Sequence, residues 1–423
     1  MRTYLRVLRN PSFRRLFLGQ AASAIGDGVV VVAIALYVTE TTRSASALGI
    51  VLCAQTVPLV ALLLFGGVWA DRLPRHRIMI AADLVRAALH AVLAVAILTG
   101  RVGVWELVAI EAPYGAARAF FQPAYSGLVP QTVSEDEIAD ARGLTEWMAN
   151  LASLIGPALA TVLVLGVGAG EAFAFDSATF LVSALLLAGV RPRARGVQAR
   201  GESLMHELRE GWREVAARTW VWVTIAVFTG SLLCMFAQWY ALAPRVARSV
   251  YGSAGVFGLL ETVMGVGAVC GALASVRWRP ARPLATGLAM TLIWPVQLAA
   301  FALGAPLALV SVCAFGTGWS FSLLMIWWET ALAQHIPARL LSRVSAYDWM
   351  GSLALLPVGY LIAGPAAHAF GARTVLEAGS AVGFVLLALA LVPVATRRLT
   401  LRYGRDEPLS PADRGLPATQ RIS

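Results

Sequence analysis

The sequence predicts an all-α integral membrane protein, with twelve transmembrane helices in two pseudo-symmetric six-helix bundles. Three observations predict it. Of 423 residues, 58% are hydrophobic and only 14% charged, and the mean hydropathy is +0.70. Soluble domains carry roughly 45–50% apolar and about 25% charged residues. The charges fall in short clusters between apolar runs long enough to cross a bilayer as helices, which takes about 20 residues each. The two halves of the chain also echo one another.

Taken in order, apolar segments bounded by Arg, Pro or Gly predict spans at 16–38, 47–70, 78–99, 104–124, 143–165 and 172–190. A second set follows at 219–243, 255–276, 283–303, 306–328, 346–368 and 374–395. Residues 1–190 thus make an N-terminal bundle and 219–395 a C-terminal one. The connector 191–218 holds seven Arg and four Glu, and Leu204, Leu208 and Trp212 recur in it at helical spacing. That pattern predicts an amphipathic cytoplasmic linker lying on the membrane surface. The tail 396–423, with six Arg, three acids and three Pro, is expected to be disordered and cytoplasmic. The echo is specific: the segment from Gly67 to Arg75 aligns with that from Gly271 to Arg279 at an offset of 204, and Glu146-Trp147-Met148 with Asp348-Trp349-Met350 at 202. A near-constant offset is the mark of duplication, and two such repeats around a substrate cavity form a transporter architecture.

The net charge is +10, and all 34 basic residues are Arg. Without Lys there is no Walker A loop and no Schiff-base chemistry. With the N-terminus inside, 27 Arg fall on the inner face and five on the outer, while Arg86 and Arg118 lie within spans. Positive loops stay in the cytoplasm, so the reading is a multi-pass cell-membrane protein with both termini cytoplasmic. The positive charge follows the membrane face and calls for no nucleic acid. The Arg-rich N-terminus leads into a full-length span and is not read as a cleaved signal. Cys53, Cys234, Cys270 and Cys313 stand singly in apolar runs and read as buried thiols. His76, His90, His206, His335 and His368 compose no catalytic or metal-binding set, so the reading is not an enzyme and implies no cofactor or metal.

The loop Gly66-Gly67-Val68-Trp69-Ala70-Asp71-Arg72-Leu73-Pro74-Arg75-His76-Arg77 is similar to the cytoplasmic motif between helices 2 and 3 of the major facilitator superfamily. Pro74 stands where that family usually has Gly. The segments from Asn10 to Gln20, Gly26-Asp27, and Ala119-Phe120-Phe121-Gln122-Pro123-Ala124 resemble the subgroup of enterobactin exporters and macrolide-efflux proteins. The resemblance covers residues 10–395 and implies the major facilitator fold and export. The physics of the loop supports gating by Gly67, Asp71, Arg72, Arg75 and Arg77: guanidinium forks pair with carboxylates or helix C-terminal carbonyls and can latch a conformation. Plain topogenic charge is the alternative. In the second copy Ser275 and Val276 replace Asp71 and Arg72, so any latch is asymmetric.

An ionisable group in hydrocarbon costs about 2.5–3.5 kcal/mol on insertion scales and is by default a candidate for function. Glu146, Glu329 and Asp348 fall near the inner face, and Asp176 and Glu377 near the outer, where structural roles suffice. Asp27 is different. It lies about eleven residues, roughly 17 Å, from either end of its span, between Gly26 and Gly28. It is the first candidate for the proton-coupling carboxylate, with a structural hydrogen bond as the alternative. Glu111 is the second, although it stands where the drug-antiporter pattern has Arg. Arg118 is a candidate partner for Glu111 or Asp83, and Asp83 and Arg86 are spaced to pair locally. Gly156 and Pro157 resemble a degenerate antiporter motif and serve either packing or a hinge. Glu261 is the one carboxylate well inside the second half, with no role assigned.

Mid-span Gln55, Tyr114, Asn150, Trp294, Gln297, Trp319 and Trp327 are the candidates for lining a substrate cavity. Together these features point to a secondary active transporter that exports hydrophobic or amphiphilic small molecules such as drugs, siderophores or secondary metabolites in exchange for protons. Its partners are substrate, protons and the lipid bilayer, and a monomer suffices. Nutrient uptake and a non-transporting membrane sensor are the alternatives.

Overall fold

Backbone polar groups in hydrocarbon must be satisfied within the chain, and here helix alone does so: the described residues contain no strand. The computed structural model describes residues 6–100, 102–134, 137–193, 204–275 and 277–401. The first six long helices are α1 (Pro11–Thr42), α2 (Ala45–Arg72), α3 (Arg75–Thr99), α4 (Val104–Leu128), α5 (Ile138–Gly166) and α6 (Ala169–Ala188). A linker helix, Leu204–Ala217, leads to α7 (Thr219–Tyr251) and α8 (Gly255–Ser275). Then come α9 (Pro283–Ala302), α10 (Leu307–His335), α11 (Ala338–Leu353 continued by Leu356–Phe370) and α12 (Ala372–Leu389).

Eleven of these helices are long and apolar enough to cross a bilayer. The remaining one, α4, is 25 residues long but interrupted by Glu106, Glu111 and Arg118, which is why composition alone separates it from the rest. Several helices outrun the predicted spans. α5 starts at Ile138 and α10 reaches His335, because hydropathy ends where water begins while helical hydrogen bonding does not. Local chemistry sets the sharp ends. Asn10 caps α1 by accepting from the Ser12 amide at 3.0 Å, with Pro11 beginning the helix. Ser44 caps α2 through the Ala47 amide at 3.2 Å. Periodicity did not reveal three interruptions: a π-helical turn in α7 at Leu232–Phe236, a break in α9 between Pro283–Met290 and Ile293–Ala302, and the break in α11.

The repeat recurs in packing. Gly115 meets the Gln55 carbonyl and Gly66 the Ala119 carbonyl where α2 crosses α4. In the later copy Gly318 meets the Met264 carbonyl and Gly267 the Phe315 carbonyl where α8 crosses α10. A methyl at any of these would strike backbone, so small residues are what permit the approach.

The two sets of six meet along seams. On one, Leu165, Thr161 and Leu154 of α5 face Gly255, Gly258 and Gly265 of α8. On the other, Ser46 and Gly49 of α2 face Gly364 and Tyr360 of α11. These contacts occupy one end of the bundle and reach about mid-length. Trp147, two helical turns from Leu154 on the same face of α5, is exposed, and so is its repeat equivalent Trp349. The seam contacts named above thus lie at one end of the bundle and its middle.

The linker helix lies on the first segment of α11, with an ion pair from Glu210 to Arg343 and the Trp212 ring 5.7 Å from Tyr347. The side chains of Leu204 and Leu208 and all of residues 194–203 fall outside the described residues. The tail differs from expectation: Thr396, Leu399 and Leu401 are buried, the two leucines against the second set of helices. Apolar residues between the arginines let residues 396–401 pack, and residues 402–423 lie outside the described residues.

Candidate functional site

Five helices converge on a buried polar network in the first half. One face of α3 carries Asp83, Arg86 and His90, spaced three and four residues apart. α4 contributes Glu111 and Tyr114, α1 Asp27, α2 Gln55 and α6 Asp176. Asp83, His90, Glu111 and Asp176 are wholly buried, and Arg86 and Tyr114 nearly so. Asp27 keeps 27% of its side chain exposed. It is the one carboxylate of the network that keeps exposed surface.

Two linked units make up the network. In the first, Arg86 hydrogen-bonds Asp83 and stands 3.6 Å from Asp27 Oδ2. Its guanidinium also lies over the rings of Phe121, at 4.3 Å, and Phe180, at 4.1 Å. One cation thus serves two carboxylates and two aromatic faces, which lessens the cost of burying it. In the second, His90 Nδ1 lies 2.5 Å from Asp176 Oδ2, and its Nε2 lies 3.5 Å from Glu111 Oε1. Gln55 donates to the other Glu111 oxygen at 2.9 Å. The His90 ring stacks on Tyr114 at 4.3 Å, and the Tyr114 hydroxyl donates to Asp27 Oδ1 at 2.6 Å. The phenol therefore joins the two units.

Flanking glycines permit this convergence. Gly26 faces Asp176 and Thr179, bringing α1 onto α6, while Gly28 lies against Gly156, bringing α1 onto α5. Gly156 and Pro157 are buried at this crossing.

The expected pairing of Asp83 with Arg86 is present, and Asp27 and Glu111 belong to one network. Arg118 does not pair with Glu111 or Asp83. Glu111 is engaged by Gln55 and His90 and Asp83 by Arg86, while Arg118 sits two turns further along α4 from Glu111. Asp176, assigned from sequence to the outer rim, is instead a core member. His90 belongs to no catalytic or metal-binding set in the sequence, yet it bridges Asp176 and Glu111. Its place on the polar stripe of α3 was the available signal.

Of the cavity candidates, Gln55 and Tyr114 belong to the network. Trp294, Gln297 and Trp327 are buried. Trp327 packs edge-on against Trp278 at 5.5 Å and Trp294 against Phe321 at 6.0 Å, since large rings fill the gaps between helices. Trp319 is half-buried beside Phe315, and the Asn150 side chain lies outside the described residues. In the loop motif the burial of Gly67 and the side chains of Asp71 and Arg72 also lie outside what is described. Arg77 is exposed, and Arg75 bonds the Gly127 carbonyl at the end of α4, one of the two partner types its chemistry suggested. In the second half Glu261 accepts from Trp239 Nε1 at 2.6 Å and from the Tyr240 hydroxyl at 2.7 Å.

Two repeated helical sets, a seam between them and charges buried at mid-span define a membrane transporter of the major facilitator type. The family described as transmembrane secretion effector matches residues 3–416, and the chain belongs to it. It is 27% identical over 411 residues to the multidrug efflux pump Tap of Mycolicibacterium fortuitum, covering 92% of this chain and 97% of that one. It is 25% identical over 409 residues to the enterobactin exporter EntS of Escherichia coli O9:H4 (strain HS), covering 94% of each. Its match to macrolide efflux protein A of Streptococcus pyogenes is 28% identical over 204 residues, 47% of this chain and 50% of that relative. Among solved structures, a mutant of the nucleoside transporter NupG superposes with a TM-score of 0.72 at 11% identity, covering 90% of this chain and 98% of that one. A bacterial homologue of the human lysosomal transporter Spinster, inward-facing and unoccupied, gives 0.66 at 18% identity over 94% of this chain and 97% of the other. At these identities the structural likeness concerns the fold.

Proposed function

We propose that this transporter exports amphiphilic small molecules from the cytoplasm in exchange for protons, by alternating access between the units 1–190 and 219–395. The observation that carries the reading is Asp27, a partly exposed carboxylate tied to a buried ionic network. The concentration of Arg on one face supports both termini lying in the cytoplasm. The chain works as a monomer in the cell membrane, with no nucleic acid partner.

Proton binding at Asp27 removes one of the two charges facing Arg86, leaving the guanidinium to Asp83 and the two phenylalanine rings. It also changes what the Tyr114 hydroxyl donates to. Gly28, the next residue, bears on Gly156, so a shift of α1 is felt by α5. α5 in turn holds the seam to α8 at Thr161 and Leu154. Each contact biases which end of the seam is open, the form of coupling alternating access needs. The efflux relatives support the outward direction, and their differing cargoes support an amphiphilic substrate class. Efflux of a panel of amphiphiles from everted vesicles, with and without an imposed pH gradient, tests this. Gradient-independent movement rejects the coupling, and accumulation in the opposite direction rejects export.

A further inference from the structure

Of the two arginines within the predicted spans, the buried network uses Arg86 and leaves out Arg118. Arg118 stands about ten residues, roughly 15 Å, before the end of α4. Arg86 is held by two carboxylates and two aromatic faces. Among the described residues Arg118 makes no hydrogen bond, ion pair or ring contact. The carboxylates nearest along the chain are engaged elsewhere: Glu111 by Gln55 and His90, Asp83 by Arg86, and Asp27 by Tyr114 and Arg86. A guanidinium at mid-span without a counter-charge is costly, and such groups mark the paths of substrates and ions.

The accessible surface of α4 shows where Arg118 points. Arg118 is half-buried, and Gln122 and Ser126, which follow it at four-residue spacing on one stripe, are exposed. In the first half of the helix the exposed residues include Trp105 and Pro113, apolar groups suited to lipid. Gln122 lies nine residues beyond Pro113 and therefore on the opposite face. The crossing of α2 explains the change of side. α2 covers α4 at Gly115 and Ala119 and then passes to Phe120, whose ring lies 5.7 Å from Trp69, so the stripe from Arg118 to Ser126 is left uncovered. A polar stripe turned away from the lipid-facing side lines the inside of the protein. Its chemistry selects anions: a guanidinium presents a planar fork of donors that fits a carboxylate bidentately, and the Gln122 amide one turn on can add another donor. Tyr114, one turn the other way, has its hydroxyl committed to Asp27.

We propose that Arg118 binds the carboxylate of an amphiphilic cargo, with Gln122 beside it, which makes organic anions part of what this protein carries. This deepens the export reading and rests on it for its biological meaning. The test uses full-length protein in a neutral detergent and equilibrium dialysis with phenylbutyrate at about pH 7, set against phenylbutyramide, which has the same skeleton and no charge. Saturable binding of phenylbutyrate to the wild type is expected, weakened about tenfold or more in Arg118→Gln. Arg118→Lys, which keeps the charge and loses the fork, is expected to lose less. Phenylbutyramide is expected to bind the wild type more weakly than phenylbutyrate does and to be indifferent to Arg118→Gln. Arg142→Gln, which removes an exposed arginine of α5, is expected to bind phenylbutyrate as the wild type does. Should Arg118→Gln fail to purify as a single species, Arg118→Lys takes its place, and a loss relative to the wild type is expected there. Absence of saturable wild-type binding, equal binding by the wild type and the Arg118 variant, or equal binding of acid and amide by the wild type overturns the proposal. No gradient is present in this assay, so it stands or falls separately from proton-driven export.

Discussion

Replacing Asp27 with asparagine removes the charge that a proton would neutralise while keeping the shape of the side chain. Asp27 Oδ2 stands 3.6 Å from Arg86. At that distance unit charges interact by about 1 kcal/mol in water and about 4–5 kcal/mol at the effective dielectric of partly buried sites. The 27% exposure of Asp27 places the pair between these limits. The expected shift in the ratio of the two conformations is therefore between about fivefold and about a thousandfold. The amide also has no charge to cycle. The expectation is that Asp27→Asn abolishes accumulation driven by a pH gradient in everted vesicles while substrate exchange at equal concentrations persists, because exchange needs no net proton movement. Asp27→Glu should retain part of the driven activity. If Asp27→Asn pumps against a gradient as the wild type does, Asp27 is structural and the coupling argument fails.

Other consequences are as direct. His90→Ala leaves Asp176 and Glu111 without their shared partner in a fully buried site, and it should cost about 3–5 kcal/mol, seen as a lower thermal midpoint in detergent; an unchanged midpoint would mean the imidazole is not holding α3, α4 and α6 together. A side chain at Gly156 would come within 2.7 Å of Gly28 Cα, so Gly156→Val should separate α1 from α5 and abolish transport, with reduced yield of folded protein, whereas retained transport would refute close packing at that crossing. Cysteines introduced by Thr161→Cys and Gly258→Cys should cross-link rapidly and arrest efflux until reduced. Efflux that continues through an intact cross-link would show that this seam does not open during turnover.

Legibility from sequence divided along a physical line. Where a signal is local it was readable: apolar length and Arg position report the transfer of each segment into lipid, and Asn10 and Ser44 report helix starts through bonds to the next few amides. Asp83 and Arg86 were readable as a pair because one helix spaces them. The limits of α5 and α10 were not, since a helix continues into water after its hydrophobicity stops. Nor were the interruptions of α7, α9 and α11, which depend on what neighbouring helices press against them.

The site was half legible for the same reason. Asp27 and Glu111 stood out as charges in apolar runs, but their partners come from other helices and carry no mark in their own neighbourhood. Arg118 was a reasonable partner for Glu111 by spacing, and Gln55 and His90 took its place because glycine crossings draw α2 and α4 together.

By itself the sequence determined that this chain lives in a bilayer as a bundle of long apolar helices and where its charges cannot be cheap, since each is a property of one segment against its solvent. Only the tertiary structure decided that His90 and Asp176 join Asp27, that Trp294 and Trp327 are buried against other rings, and that Glu261 accepts from Trp239 and Tyr240. Those outcomes depend on which faces of different helices are brought together, and the packing that brings them together is set by small residues far apart in the chain.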